Sequence, residues 1–299
     1  MTKRVVSGMR VSGELHLGHY HGVLKNWLTL QHQHECFFFL ADWHGLTTRY
    51  EEPAILEKYI WSMAIDWLAC GISPNVCSLF IQSQVPAHAE LHLLLSMITT
   101  LGWLERVPTY KDQQEKLHDK DLATYGFLGY PLLQSADVLL YKASFVPVGE
   151  DQVAHIELIR EIARRFNHFY GREANFEALT QEAIKKMGKK NSALYVSLRK
   201  KFQEQGSQEA LKTATALLET QSNLSLGDRE RLRGHLDGMG KIILPEPQPL
   251  LTQNSKLPGT DGQKMSKSYH NTIRLREPPS LVEKKILTMP TDPARIKRT

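Results

Sequence analysis

Apolar positions along this chain alternate between short continuous runs and longer stretches at helical spacing. Arg4 to Val6 opens as a short strand. Leu17, Tyr20, Leu24, Trp27 and Leu28 then recur at helical intervals and predict a helix after the Ser12-Gly13 turn. Cys36 to Ala41 is a continuous apolar run, the pattern of a strand covered on both faces in a parallel sheet. A helix is predicted from Pro53 to about Cys70, a buried strand from Ser78 to Gln82 and one helix from Pro86 to about Leu101. Pro131 to Tyr141 reads as helix, Phe145 to Val148 as strand and Asp151 to Phe166 as helix. Strands and helices in this alternation predict an α/β fold with a doubly wound parallel sheet.

The pattern changes near Arg172. From there to about residue 243 no strand signal occurs, and Leu211, Ala214, Leu217 and Leu218 mark amphipathic helix. The expected organisation is a first part of the sheet domain at 1–171, a helical insertion at 172–243, and a second part at 244–299 that begins with the leucines and prolines of Leu244 to Leu251.

Composition narrows the function classes. No apolar run approaches the roughly 20 residues of a membrane-crossing helix, and the first ten residues lack the apolar core of a secretory signal. Cys36, Cys70 and Cys77 are few, odd in number and without C-x-x-C spacing, which fits reduced thiols in a cytoplasmic protein and gives no support for a metal site. The net charge of +5 is compatible with a nucleotide or nucleic-acid partner.

Two short motifs carry the chemistry. His16-Leu-Gly-His19 stands at the head of a predicted helix, where unpaired backbone N–H groups favour phosphate. Gly18 leaves room for close approach, and two imidazoles can donate to phosphate oxygens. The competing reading is a pair of surface histidines beside a packing glycine. Lys264-Met-Ser-Lys-Ser268 follows the Gly-rich turn Leu257 to Gly262, and its two lysines suit a polyphosphate. The competing reading there is a mobile basic loop.

Together these motifs resemble the HIGH and KMSKS signatures of the class I aminoacyl-tRNA synthetases, the first as HLGH and the second intact. Ser7 to Gly13, Ala41-Asp-Trp-His44, Phe80 to His88, Gly129 to Asp137 and Val146 to Gln152 are similar to segments of the tryptophanyl family. Val11 departs from its usual proline. The resemblance covers about residues 3–170 and 244–299, and it implies that the doubly wound α/β sheet is of the Rossmann type, with ATP held between the two motifs.

It implies ATP as substrate, bound with Mg²⁺ near Arg10, Val11, Ser12, Gly18, His19, Gly149, Glu150, Asp151, Lys264, Met265, Ser266, Lys267 and Ser268. It implies catalytic roles for His16, His19, Lys264, Ser266 and Lys267. For the amino acid it implies Asp137 as acceptor of the indole N–H, a reading that the chemistry supports: indole offers one donor and no acceptor, and a lone carboxylate in the apolar run Leu132 to Tyr141 needs a partner. A structural Asp bonded to backbone is the alternative. Tyr130 and Gln152 match positions that hold the ammonium group. Gln134 stands where many members have Met, and Val6 where an aromatic is common. His44 is either a pocket residue or a core histidine, and Asp151 either a ribose contact or a helix cap.

The implied partners are L-tryptophan and tRNA(Trp), in a homodimer. Family members continue well past KMSKS into an anticodon-reading domain, so the expectation is a truncated form weak in tRNA charging, with a protein that naturally lacks that domain as the alternative. Tyrosyl-tRNA synthetases usually carry GGDQ where this chain has Gly149-Glu150-Asp151-Gln152, which counts against them. A small-molecule adenylyltransferase would lack the complete KMSKS, and a non-catalytic RNA- or partner-binding module would have no use for it.

Overall fold

The computed structural model describes residues 3–107, 124–171, 173–251 and 257–290, without the side chain of Asp151. Five parallel strands form one sheet: β1 (Arg4–Arg10), β2 (Glu35–Ala41), β3 (Ser78–Ile81), β4 (Phe145–Val148) and β5 (Gln248–Leu251), in the order β3-β2-β1-β4-β5. β1 is longer than the three residues expected and pairs with β2 along its whole length, from Arg4↔Glu35 to Arg10↔Ala41. Helices cover both faces. On one, Ala87–Ser96, Tyr130–Leu140 and Val153–Tyr170 bury Leu95, Leu132, Ala136, Ile156 and Ile159 against Val6 and Phe39. On the other, Trp27 stacks on Phe38 at 4.3 Å and meets Trp67 edge-on at 4.9 Å, all three nearly fully buried. Each such ring stabilises the fold by roughly 1.5–3 kcal/mol through burial, with the edge-to-face geometry adding to it.

Two expectations change. β3 is not a buried strand: it is the sheet edge and only partly covered, because β2 alone pairs with it. The helix expected from Pro86 to Leu101 is broken. It ends at Ser96 and a separate short helix, Leu101–Glu105, begins after Thr100, whose backbone is extended. Thr99 donates its hydroxyl to the Leu95 carbonyl, and the β-branched Thr99-Thr100 pair favours the break.

The segment expected to be helical contains Phe176–Lys186, Gly188–Gln205, Gln208–Thr220 and Leu226–Leu236, which enclose a cluster of their own around Tyr195, Leu218 and Leu232. An ion pair ties it to the sheet domain: Glu230 meets Lys142 at 2.5 Å. Within the segment, Glu230 also meets Lys241 at 3.3 Å, and Arg231 meets Glu173 at 2.6 Å. Asn167 closes the junction with hydrogen bonds to the backbone of Ile243 and Leu244.

Candidate active site

In a parallel sheet the strand order reverses at one point, and the crevice beyond the carboxyl ends of the strands there takes the ligand. Here β1 leads outward to β2 and β3, and β4 leads to β5, so the crevice lies between β1 and β4. A cavity of about 370 Å³ occupies it, lined by Val6 to Arg10 of β1, Val146 to Val148 of β4 and the following Gly149. The size falls in the range of small-ligand sites. Its walls bring together Val6, Arg10, His44, Tyr130, Gln134, Asp137, Gly149 and Gln152. His44 is therefore a cavity residue, on the short helix Asp42–Leu46.

Asp137 projects from Tyr130–Leu140 and is 1% exposed. Its Oδ1 accepts from Gln82 Nε2 and His88 Nδ1, both at 2.7 Å, and its Oδ2 lies 2.9 Å from His44 Nε2. Burial alone would push its carboxyl up, but the hydrogen bonds from His44 and His88 hold it below the usual range and keep it charged. Two partners crowd Oδ1, so Oδ2, whose one partner among the described residues is the cavity-lining His44, is the oxygen better placed for a ligand donor. His88 is wholly buried and its Nε2 lies 2.8 Å from the Tyr141 hydroxyl. Sequence reasoning placed Gln82 and His88 inside a family-like segment but gave them no role, and it did not single out Tyr141. The available signal was two polar side chains flanking an apolar strand end. The alternative in which Asp137 bonds only to backbone does not hold.

The second half of the site adjoins the end of β1. Arg10 lines the cavity and pairs with Thr48, while its buried Nε has no partner among the described residues. Two residues on, Ser12 lies 3.4 Å from Lys267 Nζ. The helix at 17–30 starts with Leu17–His19, passes through a π-helical segment at Tyr20–Leu24 and resumes as Lys25–Leu30. Its N-terminus is capped by the motif itself: His16 Nδ1 accepts from the Gly18 amide at 3.1 Å, and His19 Nδ1 accepts from the His16 amide at 3.2 Å. With both Nδ1 atoms accepting, each neutral ring carries its proton on Nε2. Burial, then the charge of Lys267, lowers His16 to about 4. Burial, then His16 and Lys267, lowers His19 to about 3. Both rings are neutral donors at pH 7.

The second motif folds against the first. Leu17 donates its amide to the Ile273 carbonyl at 3.0 Å and Leu275 to Leu15 at 3.0 Å, while His16 and Arg274 form an antiparallel bridge. Met265 is buried next to Gly18, and burial, then Arg49, lowers the Lys267 ammonium to about 8. Ser266 and Ser268 share a hydroxyl hydrogen bond at 2.8 Å. Not every expected contact converges. Lys264, Ser268 and Glu150 are exposed, Val11 is fully buried with its side chain in the core, and the side chain of Asp151 lies outside the described residues. The side chains of His16, His19 and Lys267 do not line the cavity; they stand beside it, past the end of β1.

The comparisons with known proteins agree with this geometry. The family described as "tRNA synthetases class I (W and Y)" matches residues 2–216 and 221–299, and so runs through most of the helical segment that the motifs do not reach. A tryptophan–tRNA ligase of Ralstonia nicotianae is 65% identical over 99% of this chain and 74% of its own length. One from Thermotoga maritima is 42% identical over 99% of this chain and 69% of its own. The crystal structure of the Campylobacter jejuni tryptophanyl-tRNA synthetase, complexed with ADP and tryptophan, superposes with a TM-score of 0.67 at 27% identity, over 98% of this chain and 69% of that one. A tyrosyl-tRNA synthetase from Archaeoglobus fulgidus shares the fold at a TM-score of 0.60 and 20% identity. With its cavity at the β1/β4 crevice and both signature motifs folded together beside it, the chain belongs to the class I tRNA synthetases, in their tryptophan–tRNA ligase branch.

Proposed function

We propose that this chain activates L-tryptophan with ATP to tryptophanyl-adenylate and passes the tryptophanyl group to the 3′-terminal ribose of tRNA(Trp). The observation that carries the choice of amino acid is Asp137, a charged carboxylate at the wall of an otherwise largely apolar cavity, whose Oδ2 has His44 as its one partner among the described residues and can accept the single hydrogen-bond donor that indole offers. Tyr130 and Gln152 border the same cavity, where an ammonium group would need acceptors, while Gln134 and, on the β1 wall, Val6 border it on the side proposed for the ring.

In the proposed course, an oxygen of the tryptophan carboxylate attacks the α-phosphorus of ATP, the bond to the bridging oxygen breaks, and pyrophosphate leaves with that electron pair. No covalent enzyme intermediate is needed, so the protein contributes position and charge. Lys267, already beside Ser12, stabilises the charge that develops on the leaving phosphates; Lys264 and Ser266 join it on the same loop. The Nε2–H groups of His16 and His19 donate from the helix N-terminus. Arg10, with its free Nε, stands between the amino-acid cavity and the phosphate side.

Magnesium is proposed as part of the substrate, carried on the ATP phosphates. The described residues contain no group of three or more His, Cys, Asp or Glu side chains placed to hold a metal ion, and Mg²⁺ is commonly bound through phosphates and water. The division into 1–171, 172–243 and 244–299 is likewise proposed, on the separate cluster around Tyr195. A homodimer is proposed as well, and what supports it is the exposed apolar series Leu93, Leu94, Met97, Leu101 and Tyr125, each more than half exposed. A cytoplasmic location fits the free cysteines and the lack, among the described residues, of a helix long and apolar enough to cross a membrane.

The test is exchange of labelled pyrophosphate into ATP, with tryptophan or tyrosine as the amino acid. Exchange with tryptophan and none with tyrosine is expected. Equal exchange with both would remove Asp137 as the selector.

A further inference from the structure

Just past the second motif stands Asn271, an amide that is 2% exposed in a loop whose neighbours are largely open to solvent. Its Oδ1 accepts from the Ser266 amide at 2.8 Å. Its Nδ2 donates to the Lys264 carbonyl at 3.1 Å and to Asp261 Oδ1 at 2.7 Å. An Asn side chain has two N–H donors and one carbonyl acceptor, and all are engaged here. The partners also fix the orientation of the amide, because the Ser266 N–H can only donate and the Lys264 carbonyl can only accept. Its backbone carbonyl accepts from Thr260 at 3.0 Å, closing the loop from the other side.

The surroundings are built around this side chain. Gly259 lies so close that a Cβ there would collide with the Asn271 amide group. His270 adopts the left-handed conformation, with φ of 54°, which turns the chain so that the next residue points back into the loop. Asp261 Oδ1 also accepts from the Gln263 amide at 3.0 Å, and Met265 donates its amide to Leu257 at 2.8 Å. The stretch from Leu257 to Asn271 is thus one cross-linked body, and Lys267 rides on it between Ser266, whose amide Asn271 holds, and Asn271 itself.

We propose that Asn271 is the positioning residue of the phosphate-clamping loop: by joining Ser266, Lys264 and Asp261 through one buried amide, it holds the loop in the shape that sets Lys267 beside Ser12, without touching substrate itself. This rests on the ligase reading for its catalytic consequence, but the staple itself is a property of the ligand-free chain. Asp at this position would keep the shape and the acceptor, yet would turn two donors into lone pairs facing a carbonyl and a carboxylate. A hydrophobic residue would leave the Ser266 amide and the Lys264 carbonyl without their partner.

The experiment uses Asn271→Asp, the paired exchange Asn271→Asp with Asp261→Asn, and Asn271→Ala. In the single Asp variant the kcat of tryptophan-dependent pyrophosphate exchange is expected to fall about 100-fold, the scale of a small misplacement of a catalytic group, with KM for tryptophan unchanged. In the paired variant the amide at 261 again donates to the carboxylate at 271, and recovery of about tenfold is expected. A paired variant no better than the single one, or a KM for tryptophan that rises in parallel with the loss of kcat, overturns the proposal. Independently of activity, backbone hydrogen exchange of the Ser266 amide is expected to be slow in the unsubstituted chain and faster in Asn271→Ala. Equal rates overturn the staple. An unsubstituted chain that exchanges no pyrophosphate with tryptophan overturns the ligase reading instead, while the amide measurement still decides for or against the staple.

Discussion

Lys267 Nζ lies 3.4 Å from Ser12 Oγ, so residues 255 positions apart in sequence meet at the end of the first strand. The lysine belongs to the second motif and the serine to the loop that precedes the first. Their contact sets an ammonium group beside the N-terminus of the His16 helix. Lys267→Ala is expected to lower kcat for pyrophosphate exchange by about 100- to 1,000-fold, the usual effect of removing one donor to a developing charge, with little change in KM for tryptophan. An unchanged kcat would show that the loop does not act on the leaving group.

The same lysine sets an alkaline limit. Burial, then Arg49, lowers it to about 8, so it is charged below that pH and loses its proton above it. Activation is expected to decline as pH rises through 8, and the decline is expected to vanish in Lys267→Arg, whose guanidinium stays protonated. ATP, as an anion, favours the charged ammonium, so its binding near pH 8 to 9 is expected to take up protons. Calorimetry in two buffers of different ionisation enthalpy would detect this uptake.

Asp137→Asn keeps the shape of the carboxylate and removes its charge. Loss of a hydrogen bond to a charged group costs about 1.5–3 kcal/mol, or about 10- to 100-fold. KM for tryptophan is expected to rise by that factor while KM for ATP stays constant. A tryptophan analogue methylated on the indole nitrogen is expected to bind poorly to the unsubstituted chain and to show no further loss in the Asp137→Asn variant. Equal losses for both ligands would place the effect elsewhere.

His16 and His19 make the fold sensitive to acid. Their ordinary value is 6.5, and in the folded chain they are lowered to about 4 and about 3. Between pH 6.5 and about 4 the unfolded chain therefore binds more protons than the folded one, so stability falls as pH falls through that window. Thermal melting at pH 7 and pH 5 is expected to show a smaller difference in His19→Gln than in the unsubstituted chain. An identical difference would mean that the burial of His19 carries no linkage.

Gly18→Ala tests the cap. A Cβ at position 18 would sit 2.9 Å from the His16 ring, which itself accepts from the Gly18 amide. The ring must turn away and release that amide, at about 0.5–2 kcal/mol for a lost cap. Exchange activity is expected to fall by more than the stability loss explains, because the His16 donor moves with its ring. A variant as active as the unsubstituted chain would separate the cap from the chemistry.

The strands around the crevice were legible because β1 and β2 are covered on both faces, and such strands show as unbroken apolar runs. The edge strand β3 carries a similar run, and nothing local distinguishes a strand with one neighbour from a strand with two. Asp137 was legible as a lone carboxylate in an apolar helix. Its holders were not: Gln82 and His88 approach it from the end of β3 and from Ala87–Ser96, across about 50 residues of sequence, a pairing that only the packing of Ala87–Ser96 on Tyr130–Leu140 creates. Asn271 lies three residues beyond the recognised motif and looks like an ordinary turn asparagine until the loop closes around it.

The π-helical segment Tyr20–Leu24 divides the helix at 17–30 into two parts. Ahead of it stand the histidines proposed to face phosphate, and within it and beyond it Gly22, Val23, Asn26 and Trp27 border the cavity proposed for the amino acid. The Lys25 amide reaches back five residues to the Tyr20 carbonyl, which makes room for one residue more than a regular turn holds. Each residue of an α-helix advances the face by about 100°. The segment therefore acts as a phase shifter between the capped histidine end and the cavity wall on a single rod, and removing one residue from it would leave the helix intact while turning one surface out of register with the other.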